Sequence, residues 1–188
     1  SEMCIRDSRN RTTGVLYVLD EPSIGLHPAN IVGLTGVMHD LIADGNSIIL
    51  VDHDTQILSE ADWIIEMGPG AGADGGQVIA EGSPAALTEN VQSKIGQFLK
   101  EGYITGSPAD QAGTELFDAG CINLSTDAIH TVKPLNVSIP KGKLTVVTGV
   151  SGSGKTTLIL ESLVPALEAM NRKEKLPEHV RSIEAVGV

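Results

Sequence analysis

Only two cysteines, Cys4 and Cys121, occur in 188 residues. They lie far apart, with no C-x-x-C spacing and no nearby histidine pair, which argues against a zinc site and leaves reduced thiols as the expectation. Aromatic residues make up only 3% of the chain, so a core must be built from Val, Ile, Leu and Ala. That is the composition of buried parallel strands and their covering helices. Basic residues are also scarce: 13 Lys and Arg stand against 24 Asp and Glu, giving a net charge of −11 and a pI near 4.7. Such a surface opposes non-specific attraction to nucleic acid or anionic membrane. No apolar run approaches the ~18 residues of a membrane span, and no signal-peptide core opens the chain, so a cytoplasmic location is expected. Hydrophobic residues at 41% and a mean hydropathy of +0.08 exclude a disordered acidic tail.

Residues 1–13 carry no apolar period and read as a non-native flank or a frayed terminus. From Gly14 the chain is strongly patterned. Val15 to Asp20 is an apolar run ending in carboxylates, as expected of a buried parallel strand. Pro28 opens a helix to about Ala43, which Asp44-Gly45-Asn46 closes. Ser47 to Val51 is a second buried strand, and Gln56 to Asp62 a short helix. Trp63 to Met67 and Gln77 to Ala80 are predicted strands around the glycine-rich turn Gly68 to Gly76. An amphipathic helical segment covers Ser83 to about Gly102, and 103–114 reads as a linker. Beyond it, Glu115 to Leu124, Val132 to Ile139 and Leu144 to Thr148 have strand character. The alternation is that of an α/β protein.

Gly149 to Thr156 reads GVSGSGKT directly after a strand and before the helical run TLILESLVPALEAM, the context that a phosphate-binding P-loop needs. Gly149, Val150, Ser151, Gly152, Ser153, Gly154, Lys155, Thr156 and Thr157 are the predicted nucleotide-binding residues. Glycines let successive N–H groups point at phosphate oxygens, beside the positive end of the next helix. Lys155 is expected at the β- and γ-phosphates, and the Thr156 hydroxyl at Mg²⁺. Asp20-Glu21 at a strand end supplies complementary chemistry: one carboxylate holds the Mg²⁺ water shell and the next polarises an attacking water. His53 follows the next strand, 32 residues after Glu21, and adjacent parallel strands would bring the two to one sheet edge. Surface or capping roles are the expectation for His27, His39, His130 and His179.

The motifs LDEPSIGLHP, VDHD, TGVSGSGKTTL and MGPGAGADGGQVIAEG together resemble the P-loop NTPases of the ABC ATPase type and, within them, the UvrA family of DNA-damage-recognition subunits. The resemblance covers about Gly14 to Val188. It implies ATP and Mg²⁺ as cofactors, Asp20 as the Mg²⁺-associated Walker B aspartate, Glu21 as the catalytic base, Ser23, Ile24, Gly25 and Leu26 as the D-loop, and His53 as the switch histidine. It implies ATP hydrolysis coupled to nucleotide excision repair, with DNA engaged through the full-length parent, a partner subunit of the excinuclease, a dimeric parent and no membrane. A soluble ABC paralogue acting in drug resistance, translation or transport, or a fragment that only binds nucleotide, is the alternative.

The signature loop and the zinc-module cysteines of that family are absent, and no aromatic follows Phe117 to stack on adenine. Lys155 follows Asp20 by 135 residues, the reverse of the order within one P-loop domain. Two partial nucleotide-binding domains are therefore expected, the end of a first over 14–102 and the start of a second over 115–188. The rival is a circularly permuted single ATPase, which requires Asp20 and Lys155 to meet at one nucleotide.

Overall fold

A computed structural model of the chain describes residues 13–102 and 115–185. The expectations for residues 1–12 and for the linker 103–114 lie outside them. Five strands form the main sheet: β1 (Leu16–Asp20), β2 (Ser47–Val51), β3 (Trp63–Gly68), β4 (Gln77–Gly82) and β7 (Leu144–Gly149), in the order β1-β2-β7-β3-β4. The first four in that spatial order are parallel, and β4 runs antiparallel to β3 at one edge. β5 (Cys121–Thr126), β6 (Leu135–Pro140) and β8 (Val180–Ala185) form a separate antiparallel sheet in the order β6-β5-β8.

Strand alternation divides the core into two layers. Ile49, Val51, Ile65, Met67 and Val147 face the second sheet and the helical segment after the P-loop, meeting Ile122, Val137, Leu158 and Leu163. Ile48, Leu50, Ile64 and Val146 face the other way, against Ile31 and Met38 of α1 (Pro28–Ala43), Ile57 of α2 (Thr55–Glu60), Leu87 of α3 (Pro84–Glu89) and Leu99 of α4 (Gly96–Gly102). Ile49, Leu50, Val146 and Val147 are all inaccessible, so aliphatic side chains fill both faces, as the scarcity of aromatics demanded.

Several boundaries differ from the sequence reading. Ser83 to Gly102 is two short helices rather than one. Asn90 caps α3, and the chain between them turns so tightly that a Cβ on Gly96 would stand 2.2 Å from the Leu87 carbonyl oxygen. Glu115–Phe117 is a 3₁₀ turn that sets Phe117 edge-on to Trp63 with ring centroids 5.2 Å apart, and the strand begins later, at Cys121. After the P-loop, a π-helical stretch (Thr157–Leu163) precedes α5 (Val164–Arg172). Pro165 lies just beyond the wide turn, where an α-helix would set its ring against the carbonyl four residues back.

The two halves of the chain share a sheet. Stretches 14–102 and 115–188, read from sequence as parts of two nucleotide-binding domains, contribute to one sheet. β7, from the second stretch, lies between β2 and β3 of the first. Asp20 pairs in register with Val51, and Val51 with Val147, so the loops after β1, β2 and β7 leave the sheet from the same edge.

Candidate nucleotide site

Open parallel sheets place ligands beyond the carboxyl ends of their strands, and here three loops converge at that edge. The first follows β1. Asp20 ends the strand exposed, and Glu21 turns sharply with a φ of 48°, its N–H donating to the Val51 carbonyl at 2.6 Å. Positive φ is costly for a side chain larger than glycine and occurs at functional turns. The second loop follows β2 and carries Asp52, His53 and Asp54. Asp54 caps α2 by accepting from the Gln56 N–H at 2.8 Å, which leaves His53 exposed at the start of the turn.

Asp52 was not singled out in the sequence, yet it joins these two loops. Its carboxylate is fully buried. It accepts from the Ser23 hydroxyl at 2.6 Å and the Ser23 N–H at 3.1 Å, and from the N–H groups of His53 at 2.7 Å and Asp54 at 3.0 Å. One carboxylate therefore fixes both the turn after Glu21 and the backbone that presents His53. A carboxylate closing a buried strand was the available signal, but Ser23 lies 29 residues away and no local pattern names it. Replacing Asp52 with Ala leaves four donors without their acceptor, and the expected loss is about 2–4 kcal/mol of unfolding free energy. Chemical denaturation checks it: Asp52→Asn, which keeps one acceptor oxygen, should lose less, and a loss in Asp52→Ala below about 0.5 kcal/mol would contradict this role.

The third loop is Gly149 to Thr156, predicted from sequence to bind phosphate. Gly149, Gly152 and Gly154 have φ of 139°, 76° and 98°, so the chain curls in a way that side chains resist. Helical conformation begins at Lys155, and the first-turn N–H groups lack intrahelical acceptors. The Ser153 hydroxyl is buried and without a partner among the described residues. The Lys155 ammonium folds back onto the carbonyls of Gly149 at 2.9 Å and Val150 at 3.0 Å. Burial lowers its pKa from the ordinary lysine value, while the carboxylates of Glu21 and Asp20 pull in the opposite direction.

Two recesses flank Lys155, and both include Glu21. One, of about 390 Å³, is lined by His53, Thr148, Gly149 and the exposed Phe98. The other, of about 360 Å³, is lined by Ser151, Gly152, Gly154 and Thr156. The predicted D-loop residues Ser23 to Leu26 line neither recess, and Ile24 is 64% exposed and Leu26 37% exposed. The remaining histidines have other partners. His27 caps α1, His39 and His130 pair with Glu60 and Glu161, and His179 meets the Ser162 hydroxyl. Among the described residues no cluster of three His, Cys, Asp or Glu could hold a metal ion. A Mg²⁺ ion held by one or two protein oxygens and by phosphates needs no such cage. No helix among the described residues is long and apolar enough to cross a membrane.

No protein-family model matches the chain. It is 46% identical over 155 residues to the UvrABC system protein A of Chlamydia trachomatis, covering 82% of this chain and 8% of that protein. It is 45% identical over 162 residues to the protein of the same name from Pasteurella multocida, covering 86% and 17%. The crystal structure of UvrA2 from Deinococcus radiodurans matches with a TM-score of 0.46 and 36% identity over 96% of this chain and 21% of that one. The chain thus spans less than a fifth of these curated relatives, and over the matched residues it belongs to the UvrABC system protein A family.

Proposed function

We propose that this chain binds ATP with Mg²⁺ on the phosphate loop Gly149–Thr157 and that Glu21 and His53 address the phosphate chain held there. The observation that carries this reading is the shared sheet edge. β1, β2 and β7 are adjacent and parallel, and Lys155 senses Glu21 and Asp20. The glycine curl and the free helical N–H groups suit a polyphosphate, and the orphaned Ser153 hydroxyl adds a donor in the same loop. Lys155 would leave its carbonyl partners for the β- and γ-phosphates. Asp20 and the Thr156 hydroxyl are the residues suited to Mg²⁺, which when bound neutralises phosphate charge. Glu21 orients and deprotonates the attacking water, and His53 contacts the terminal phosphate from the neighbouring strand end.

The stretch 103–114 is the proposed linker between the segment bearing Asp20, Glu21 and His53 and the segment bearing the phosphate loop. For the longer proteins of the family, the proposed role of this module is ATP hydrolysis coupled to recognition of damaged DNA in nucleotide excision repair, in a dimer that meets a further excinuclease subunit. With a net charge of −11, the DNA contacts are assigned to parts of those proteins beyond this chain. Calorimetric titration of the chain with ATP and Mg²⁺ tests the reading. The expected dissociation constant lies between about 1 μM and 1 mM, and absence of binding at ~10 mM ATP would overturn it.

A further inference from the structure

The glycine-rich stretch MGPGAGADGG has no part in the chemistry above, yet its backbone lies against the phosphate loop. The Gly72 N–H donates to the Gly152 carbonyl at 3.1 Å, and the Gly76 N–H to the Ser153 carbonyl at 3.0 Å. On its other side the Gly76 carbonyl accepts from the Lys133 N–H at 2.8 Å, in the turn between β5 and β6. Gly75 and Gly76 are buried, and the packing leaves no room for side chains. A Cβ on Gly76, whose φ is 76°, would stand 1.7 Å from the Thr131 carbonyl oxygen, and one on Gly75 would stand 3.2 Å from the Ser153 Cα. The phosphate loop is fitted to the same surface, since a Cβ on Gly154 would meet Val132 at 2.6 Å.

The peptide plane turns this packing into chemistry. In a trans peptide the carbonyl of one residue and the N–H of the next point in opposite directions. When Gly76 holds the Ser153 carbonyl outward, the Gly154 N–H is turned inward, toward the space enclosed by the loop. We propose that the loop Gly68–Gly76 is a positioning clamp: by binding the outer carbonyls of Gly152 and Ser153 it fixes the curl of the phosphate loop, which the Ser153 N–H closes on the Val150 carbonyl at 3.2 Å, and turns the Gly154 N–H toward a polyphosphate. Gly72 and Gly76 act through the phosphate loop and touch no ligand themselves. This inference rests on the nucleotide reading above.

The test measures the affinity of inorganic tripolyphosphate, which keeps the phosphate chain and drops the nucleoside, together with the melting temperature of the free chain. Gly76→Ala should bind tripolyphosphate at least tenfold more weakly. Gly36→Ala, on an open face of α1 with nothing within 4 Å, should bind as the unaltered chain does. Gly72 supplies a milder pair because it also has open space around it at a φ of 59°. Gly72→Val, which resists that φ, should lose affinity severalfold, whereas Gly72→Asn, which tolerates it, should stay within twofold. This pair decides the matter alone should Gly76→Ala not fold. Affinity within twofold of the unaltered chain in folded Gly76→Ala, or in Gly72→Val, would overturn the clamp. Absence of tripolyphosphate binding by the unaltered chain would overturn the nucleotide reading beneath it.

Discussion

Lys155→Ala is expected to weaken ATP binding by about 30- to 1,000-fold, corresponding to the ~2–4 kcal/mol of a charge-assisted contact to phosphate in a partly desolvated site. The residue is buried, and among the described residues its ammonium is held by the Gly149 and Val150 carbonyls. Those bonds are exchangeable: the ammonium can turn to a ligand without breaking an ion pair. The same burial that lowers its pKa strengthens its interaction with a phosphate. Removing it should cost the fold little, because the truncated site is a solvent-facing recess and no buried carboxylate loses its partner. Titration calorimetry with a parallel melting curve separates the two effects. A tenfold or smaller loss of affinity would show that the loop binds phosphate mainly through its amides.

Glu21→Gln carries the second large effect, expected chiefly on turnover and only modestly on binding. A positioned general base contributes about 10²- to 10⁴-fold to rate, and any ATP hydrolysis by the chain should fall by that factor. Glutamine preserves the size of the side chain and keeps a non-glycine residue at the φ of 48°, so the turn should be retained. The hydrogen bond from residue 21 to the Val51 carbonyl is made by the backbone and survives the change. Phosphate release measured at saturating ATP checks the effect. An unchanged rate would remove Glu21 from the chemistry and leave Asp20, or a residue outside this chain, as the candidate.

Much of the candidate site is legible in local chemistry. The phosphate loop is a contiguous pattern, α1 announces itself through Pro28 and apolar spacing, and β1 and β2 are short aliphatic runs. What remained hidden was long-range pairing. Whether β7 joins β2 and β3 is settled by the register of Leu144 to Val147 against both, and parallel pairing leaves no signature in either strand alone. Chain order instead suggested two separate sites, because in one P-loop domain the phosphate loop comes first. Asp52 was hidden for a related reason: its partners lie on two loops, and only the fold brings Ser23 and His53 to one carboxylate. The glycines of 68–76 were conspicuous as a motif, but their purpose is a backbone approach to another loop.

The central claim is that Glu21 and Lys155 serve one phosphate chain, and the ATP affinity of Glu21→Gln tests it without requiring turnover. Removing a negative charge that faces the same recess as the phosphate chain relieves repulsion of roughly 1 kcal/mol at the dielectric of water. Glu21→Gln should therefore bind ATP about fivefold more tightly than the unaltered chain and gain less for ADP, while Lys155→Ala binds it at least 30-fold more weakly. Equal affinity in Glu21→Gln and the unaltered chain, with binding still weakened by Lys155→Ala, would contradict it and return the two residues to separate sites.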